Sequence, residues 1–210
     1  MIRSSRHVLL PVLLLVGAVP ARAQDTPSPL AQQATLSRAK GRETASVFVY
    51  AFTDFQCTHC RKFATDVFPR IDSAFVRSGK VRWIFVHLPL PTHANAWGAH
   101  EAAACAGGVA DRFWQMHDKL YASQQEWADL SDPTPVFTRL AREVGAPAEK
   151  FANCVRDDRV ANVILGDVIF GATSNVSGTP AYIVNNEVTI MGLKSFEEWK
   201  ELLEKMIRKR

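Results

Sequence analysis

Cysteine is scarce in this chain. Four occur among 210 residues, too few for a small disulfide-stapled scaffold, although an even number invites pairing. Neither sign of charge dominates: 25 lysines and arginines stand against 21 acids, and 47% of the residues are hydrophobic. That balance excludes a disordered, collagen-like or coiled-coil chain. There is no internal repeat and no low-complexity tract. The apolar run at residues 8–19 falls short of the ~20 residues that a membrane-spanning helix needs. Residues 92–171 contain no clear strand. The length suits one domain, or one domain with a large insertion, and supplies enough chain for a core.

At the N-terminus, Arg3 and Arg6 precede the apolar run, and Ala21-Arg22-Ala23 places small residues where a signal peptidase reads. Residues 1–23 are therefore expected to be a secretory signal peptide, cleaved before Gln24. The residue directly after that point is Gln24 and not a cysteine, so a lipid anchor is not expected. The net charge of +4 and the pI of 9.0 are mostly the address. Without Arg3, Arg6 and Arg22 the mature chain has 22 bases against 21 acids, and no basic patch calls for nucleic acid. Export also changes the redox context: a compartment outside the cytoplasm is oxidising, so all four cysteines become candidates for disulfides.

Residues 24–45 are polar and proline-bearing at first and read as an N-terminal tail. Residues 46–53, with Val47, Phe48, Val49, Tyr50 and Phe52, read as a buried strand. From Cys57 the pattern turns helical, with Phe63, Val67, Ile71 and Phe75 four apart on one face; Pro69 should kink this helix and Gly79 should end it. Residues 81–88 read as a second strand. The alanine-rich run 94–106, the helically spaced Phe113, Met116 and Leu120, and stretches near 135–144, 148–155 and 159–170 predict helices. Residues 181–184 and 188–191 flank Asn185-Asn186-Glu187, a hairpin signal. Ser195 and Glu198 form a capping box before a last helix carrying Trp199, Leu203 and Met206. The order predicts a compact α/β sheet: a first half at residues 46–91, a helical insertion at 92–171 and a second half at 172–210.

The chemistry points to Cys57-Thr58-His59-Cys60. Two cysteines three apart at a helix start lie on one side of the first turn, where a disulfide can close. Cys57 at the N-cap faces free backbone N–H groups and the positive end of the helix dipole, and His59 offers an imidazolium nearby. All of these favour the thiolate, and a stabilised thiolate makes the disulfide a stronger oxidant. A purely structural bridge across so small a loop would gain little. Zinc would need a further ligand that no second closely spaced Cys or His pair supplies, so neither a metal nor a cofactor is expected.

The stretch Phe52-Thr53-Asp54-Phe55-Gln56-Cys57-Thr58-His59-Cys60, with Gly178-Thr179-Pro180 far downstream and Phe113-Trp114-Gln115-Met116-His117-Asp118 between, resembles the DsbA-like thiol:disulfide oxidoreductases of bacterial envelopes. The resemblance runs from about residue 46 to the C-terminus. It implies a thioredoxin fold with a helical insertion and a cis-proline at Pro180 facing the cysteines. It implies catalytic roles for Cys57, Cys60, His59 and Pro180, with Thr58, Thr179 and Phe55 tuning the centre or binding substrate. Two departures stand out. Thr58 occupies a position where relatives often have proline, and the middle dipeptide tunes redox poise. Ala51 occupies a position where relatives often carry a buried acid. Asp54 is nearer Cys60 in sequence, but strand alternation does not aim it inward. Slower deprotonation of Cys60, with water as carrier, is the expected consequence. Ala51→Glu should raise exchange rates, and unchanged rates would overturn that expectation.

Cys105 and Cys154 lie in the insertion. The oxidising compartment and the even count favour a structural disulfide between them, as some relatives have; two buried free thiols are the alternative. His93, His100 and His117 are expected to pack or cap, and the basic C-terminus to serve as a solvated helix cap. The expected partners are reduced exported proteins and, by resemblance, a membrane reoxidase that is quinone-linked and DsbB-type or vitamin K epoxide reductase-like. The chain is expected to act as a monomer. A disulfide reductase or isomerase, and a non-catalytic chaperone or metal-binding module, are the competing readings.

Overall fold

The computed structural model describes residues 27–209; the expected signal peptide and its cleavage site lie outside the described residues. Among the described residues, five strands form one sheet in the order β1-β3-β2-β4-β5. They are β1 (Ala39–Lys40), β2 (Val47–Thr53), β3 (Val81–His87), β4 (Ala181–Val184) and β5 (Val188–Met191). β2 and β3 run parallel, from Val47 beside Val81 to Thr53 beside His87. β4 is antiparallel to β2 and β5 to β4, while β1 pairs antiparallel with the outer edge of β3. A parallel pair needs a crossover, and the helix that begins at Cys57 supplies it.

That helix, α2, is not uniform. It starts as α-helix at Thr58–Lys62, widens to π geometry over Phe63–Val67, returns to α at Phe68–Ile71 and widens again over Asp72–Val76. The sequence predicts a plain α-helix kinked at Pro69. Instead the Phe68 N–H bonds to Phe63 O in π register just before Pro69, the residue that has no N–H to donate. Phe63, Ile71 and Phe75 still point inward, because the widening rotates the helix without exposing this face.

β2 is central and covered on both sides. Val47, Val49 and Ala51 pack with Phe63, Trp83, Tyr182 and Trp199. Phe52 packs on the opposite face with Val86, Leu88 and Ile183. Trp199 comes from the terminal helix Phe196–Arg208, which begins in a full Ser195–Glu198 capping box. The β4–β5 hairpin turns through Asn185 and Asn186, both at positive φ, a conformation asparagine tolerates.

The insertion contains α3 (Ala96–Ala110), α4 (Phe113–Ala122), α5 (Gln124–Trp127), α6 (Thr134–Glu143), α7 (Ala148–Arg156) and α8 (Ala161–Thr173). Its core, built on Phe113, Met116, Leu120, Trp127 and Leu140, is continuous with Phe55, Cys57, Cys60 and Phe85. The insertion therefore walls the active cysteines. A disulfide joins Cys105 on α3 to Cys154 on α7 with Cα atoms 5.8 Å apart.

The N-terminal segment corrects the sequence reading. Residues 24–45 are expected as a tail, but Pro29–Ser37 is a helix, α1, and Ala39–Lys40 joins the sheet. Ser28 caps α1 by accepting from Ala31 N–H, and Pro29 starts it. Ala34 is fully buried. A Cβ on Gly107 would meet Ser37 Oγ at 2.3 Å, so this glycine is what lets α1 seat on α3. Arg38, just after α1, pairs with Asp167 of α8 and donates to Phe85 O at 3.0 Å.

Candidate active site

Cys57 is the N-cap of α2, with an extended backbone. Its Sγ accepts from Cys60 N–H at 3.4 Å and, as a thiol, donates to Thr179 O at 3.6 Å. Both cysteines are thiols. Cys57 keeps 6% of its surface and Cys60 only 1%, so an incoming sulfur meets Cys57. The Cys60 thiol hydrogen bond, the Cys60 N–H, the Thr179 side chain and the His59 N–H lower the Cys57 pKa from 9.0 to about 5 against the opposing effect of burial. Burial pushes the Cys60 thiol well up, and the neighbouring Cys57 adds to this. The surroundings thus favour a thiolate at Cys57 and a protonated thiol at Cys60 behind it.

Thr58 and His59 are exposed beside a cleft of about 490 Å³ also bordered by Lys62, Asp66 and Tyr121. The sequence suggests His59 as an imidazolium neighbour; in the structure its backbone N–H is one of the groups that favour the Cys57 thiolate. The Thr179–Pro180 peptide is cis and sits across from Cys57. Pro180 has no N–H, and its carbonyl accepts from Gly192 N–H at 2.8 Å, which ties the loop to the end of β5.

Phe55 is fully buried, stacked on Phe85 with centroids 5.0 Å apart, and packs with Cys57 and Cys60 from within. Asp54 is also fully buried, contrary to the strand alternation, because β2 ends at Thr53 and the alternation stops there. Its Oδ1 accepts from Gln56 N–H at 2.6 Å, and its Oδ2 accepts from Leu90 N–H at 2.7 Å and lies 2.8 Å from His93 Nδ1. These bonds tie the active loop to the strand and to the chain after β3.

The sequence gives no sign of two further residues. Gln124 donates through Nε2 to Phe55 O at 2.6 Å and to Cys57 O at 3.1 Å. Tyr121 Oη lies 2.7 Å from Thr53 Oγ1 and donates to Asp54 O at 3.2 Å. Both come from the insertion, and only its folding over the site gives them meaning. His93 pairs with Asp54, and the fully buried His87 and His100 meet through Nδ1 atoms 2.8 Å apart. Burial lowers the pKa of both.

A five-stranded sheet, a crossover helix opened by two cysteines, a cis-proline loop beside them and a helical insertion define a DsbA-like thiol:disulfide oxidoreductase. The chain belongs to the thioredoxin family: the family model described as "Thioredoxin" matches residues 34–205. It is 28% identical over 178 residues to the "Disulfide bond formation protein D" of Bacillus subtilis, covering 80% of this chain and 76% of that protein. The oxidised BdbD structure from Bacillus subtilis aligns with a TM-score of 0.70 at 25% identity, over 81% of this chain and 92% of that one. The α-DsbA1 structure from Wolbachia pipientis aligns with a TM-score of 0.73 at 22% identity, over 82% and 91%.

Proposed function

We propose that the chain is an exported enzyme that introduces disulfides into secreted proteins through the Cys57–Cys60 pair. The observation that carries this is the asymmetry of the pair: a Cys57 thiolate favoured by its surroundings in front of a buried, protonated Cys60. A surrounding that stabilises the reduced form makes the disulfide oxidising.

In the oxidised enzyme a substrate thiolate attacks Cys57 Sγ, the Cys57–Cys60 bond breaks, and Cys60 leaves as a thiolate that takes up a proton. A second substrate thiolate then attacks the substrate sulfur of the mixed disulfide, and Cys57 leaves as a thiolate. The substrate gains a disulfide and the enzyme is left reduced. Pro180, with no donor, and the Thr179 backbone face the substrate segment as an edge against which an extended chain can lie. A membrane reoxidase of the quinone-linked class would restore the enzyme disulfide. Among the described residues, no helix is long and apolar enough to cross a membrane.

The test is Cys60→Ser expressed in the native host. Each mixed disulfide at Cys57 then persists and its partner can be identified. Many reduced secreted proteins among the partners support an oxidase. A single cytochrome-assembly partner would replace this reading with that of a dedicated reductase. No trapped partner, with a Cys57 thiol inert to exchange, would make the chain a binding module.

A further inference from the structure

Three helices of the insertion border a cleft of about 470 Å³, within the size range of sites that hold small molecules. α3 supplies Trp97 and Glu101, four residues apart on one face. α6 supplies Phe137, and α7 supplies Phe151 and Val155. The walls are tied together. The Cys105–Cys154 bridge joins α3 to α7. Beside α3, Asn95 Nδ2 donates to the carbonyls of Trp127, Ala128 and Leu130 at 3.2, 3.0 and 2.8 Å. The cleft is thus held open by the fold.

Glu101 is the unusual residue in it. Only 7% of its surface is exposed, yet its Oε1 has no hydrogen-bond partner among the described residues. A buried carboxylate left unsatisfied is costly, and each native example calls for a cause. The neighbours do not supply a cation. Burial, and then the adjacent Asp158, raise the Glu101 pKa from 4.5 to about 7, with the Trp97 side chain acting in the opposite direction. Arg156 is the cation among the described lining residues, and its guanidinium is engaged elsewhere. Its Nε donates to Asp157 Oδ1 at 2.9 Å and its Nη1 to Asn153 Oδ1 at 2.8 Å. Two acids stand together where apolar and aromatic side chains form the rest of the wall. A metal ion fits this less well, because among the described residues no three His, Cys, Asp or Glu side chains converge.

We propose that this cleft binds a small organic cation: an aromatic or aliphatic body that carries a protonated primary amine. The ammonium donates to the Glu101 carboxylate, and the torsion that sets which oxygen faces it is soft. The body lies against Trp97, Phe137 and Phe151, whose rings add cation–π attraction. Neither Cys57 nor Cys60 is among the walls, so binding here does not depend on the exchange reaction.

The experiment titrates full-length ¹⁵N-labelled protein with 2-phenylethylammonium chloride at about pH 8, above the Glu101 pKa, and follows the amide shifts. 3-Phenylpropionate, of similar size and opposite charge, and calcium chloride are titrated in parallel. Saturable shifts centred on Trp97, Glu101, Phe137 and Phe151 are expected, with the amine bound at least about tenfold more tightly than the carboxylate. Glu101→Gln keeps the shape, removes the charge and should weaken the amine by about tenfold or more. Ala152→Trp, at an exposed position on the rim, should close the cleft and abolish the shifts. Preserved dispersion of the amide spectrum shows that each variant is folded, and Ala152→Trp decides the matter if Glu101→Gln is not. Absence of a saturable shift, equal affinity for the amine and the carboxylate, or an unchanged amine affinity in either folded variant overturns the site. Calcium moving the same amides while the amine does not would overturn it in favour of a metal.

Discussion

Cys57 Sγ lies 3.6 Å from the carbonyl oxygen of Thr179, a residue 122 positions further along the chain. The contact joins the start of the first helix of the sheet half to the loop that opens its second half. It places the nucleophilic sulfur beside the backbone of the cis-proline loop.

The first prediction concerns the charge on that sulfur. Ultraviolet titration of the reduced protein should show one thiolate appearing near pH 5, against the usual 9.0. Because the folded pKa is depressed, the stability it contributes to the reduced form is complete above about pH 9 and is lost as pH falls through about 5. Urea midpoints of reduced wild type should therefore drop more than those of Cys57→Ser between about pH 8 and about pH 4. Parallel pH dependence in the two proteins would contradict it.

The second concerns the Cys105–Cys154 bridge, which closes a separation of 49 residues. In the chain-entropy model, Cys105→Ser with Cys154→Ser should cost up to about 4 kcal/mol. Denaturant unfolding of the oxidised proteins measures this, and the Cys57 titration should be retained because the hydrogen bonds of its sulfur come from Cys60 and Thr179, not from the bridge.

Gln124 gives the third prediction. Its amide supplies donors to the Phe55 and Cys57 carbonyls, and both bonds are buried. Gln124→Ala should destabilise the protein by roughly 1–3 kcal/mol. Gln124→Glu keeps the shape but offers carboxylate oxygen where a donor is required, so it should not restore the midpoint. Full recovery with Glu would show that only volume matters at this position.

The seating of α1 is open to a fourth test. A Cβ at Gly107 would meet Ser37 Oγ at 2.3 Å. Gly107→Ala should therefore lower stability by roughly 1–3 kcal/mol despite alanine's better helix propensity. Ser37→Ala beside it should recover part of the loss. A stabilising Gly107→Ala would mean that α1 does not bear on α3.

These residues also show how far the sequence could be read. The β-branched and aromatic runs of β2 and β3, the Asn185-Asn186 turn and the Ser195–Glu198 box are local signals, and the elements they mark lie where they point. The Cys57–Cys60 spacing at a helix start is equally local. α1 was hidden because its buried face is made of Ala31 and Ala34, whose small side chains give little amphipathic pattern. Its partner, Gly107, is equally silent in sequence. Asp54 escaped because its inward direction depends on where β2 stops. Tyr121 and Gln124 acquire their roles only when the insertion folds back over the active loop, a long-range event with no local mark.

The distance between Cys57 and Thr179 along the chain has a consequence for the order of assembly. A chain made from its N-terminus carries its reactive thiols well before the loop that faces them exists. Contacts this remote in sequence form late. An incompletely folded molecule has the two thiols but lacks the cis-proline loop that completes their surroundings. The surroundings of Cys57 are thus completed only with closure of the sheet, when β4 and β5 bring the Thr179 carbonyl against its sulfur.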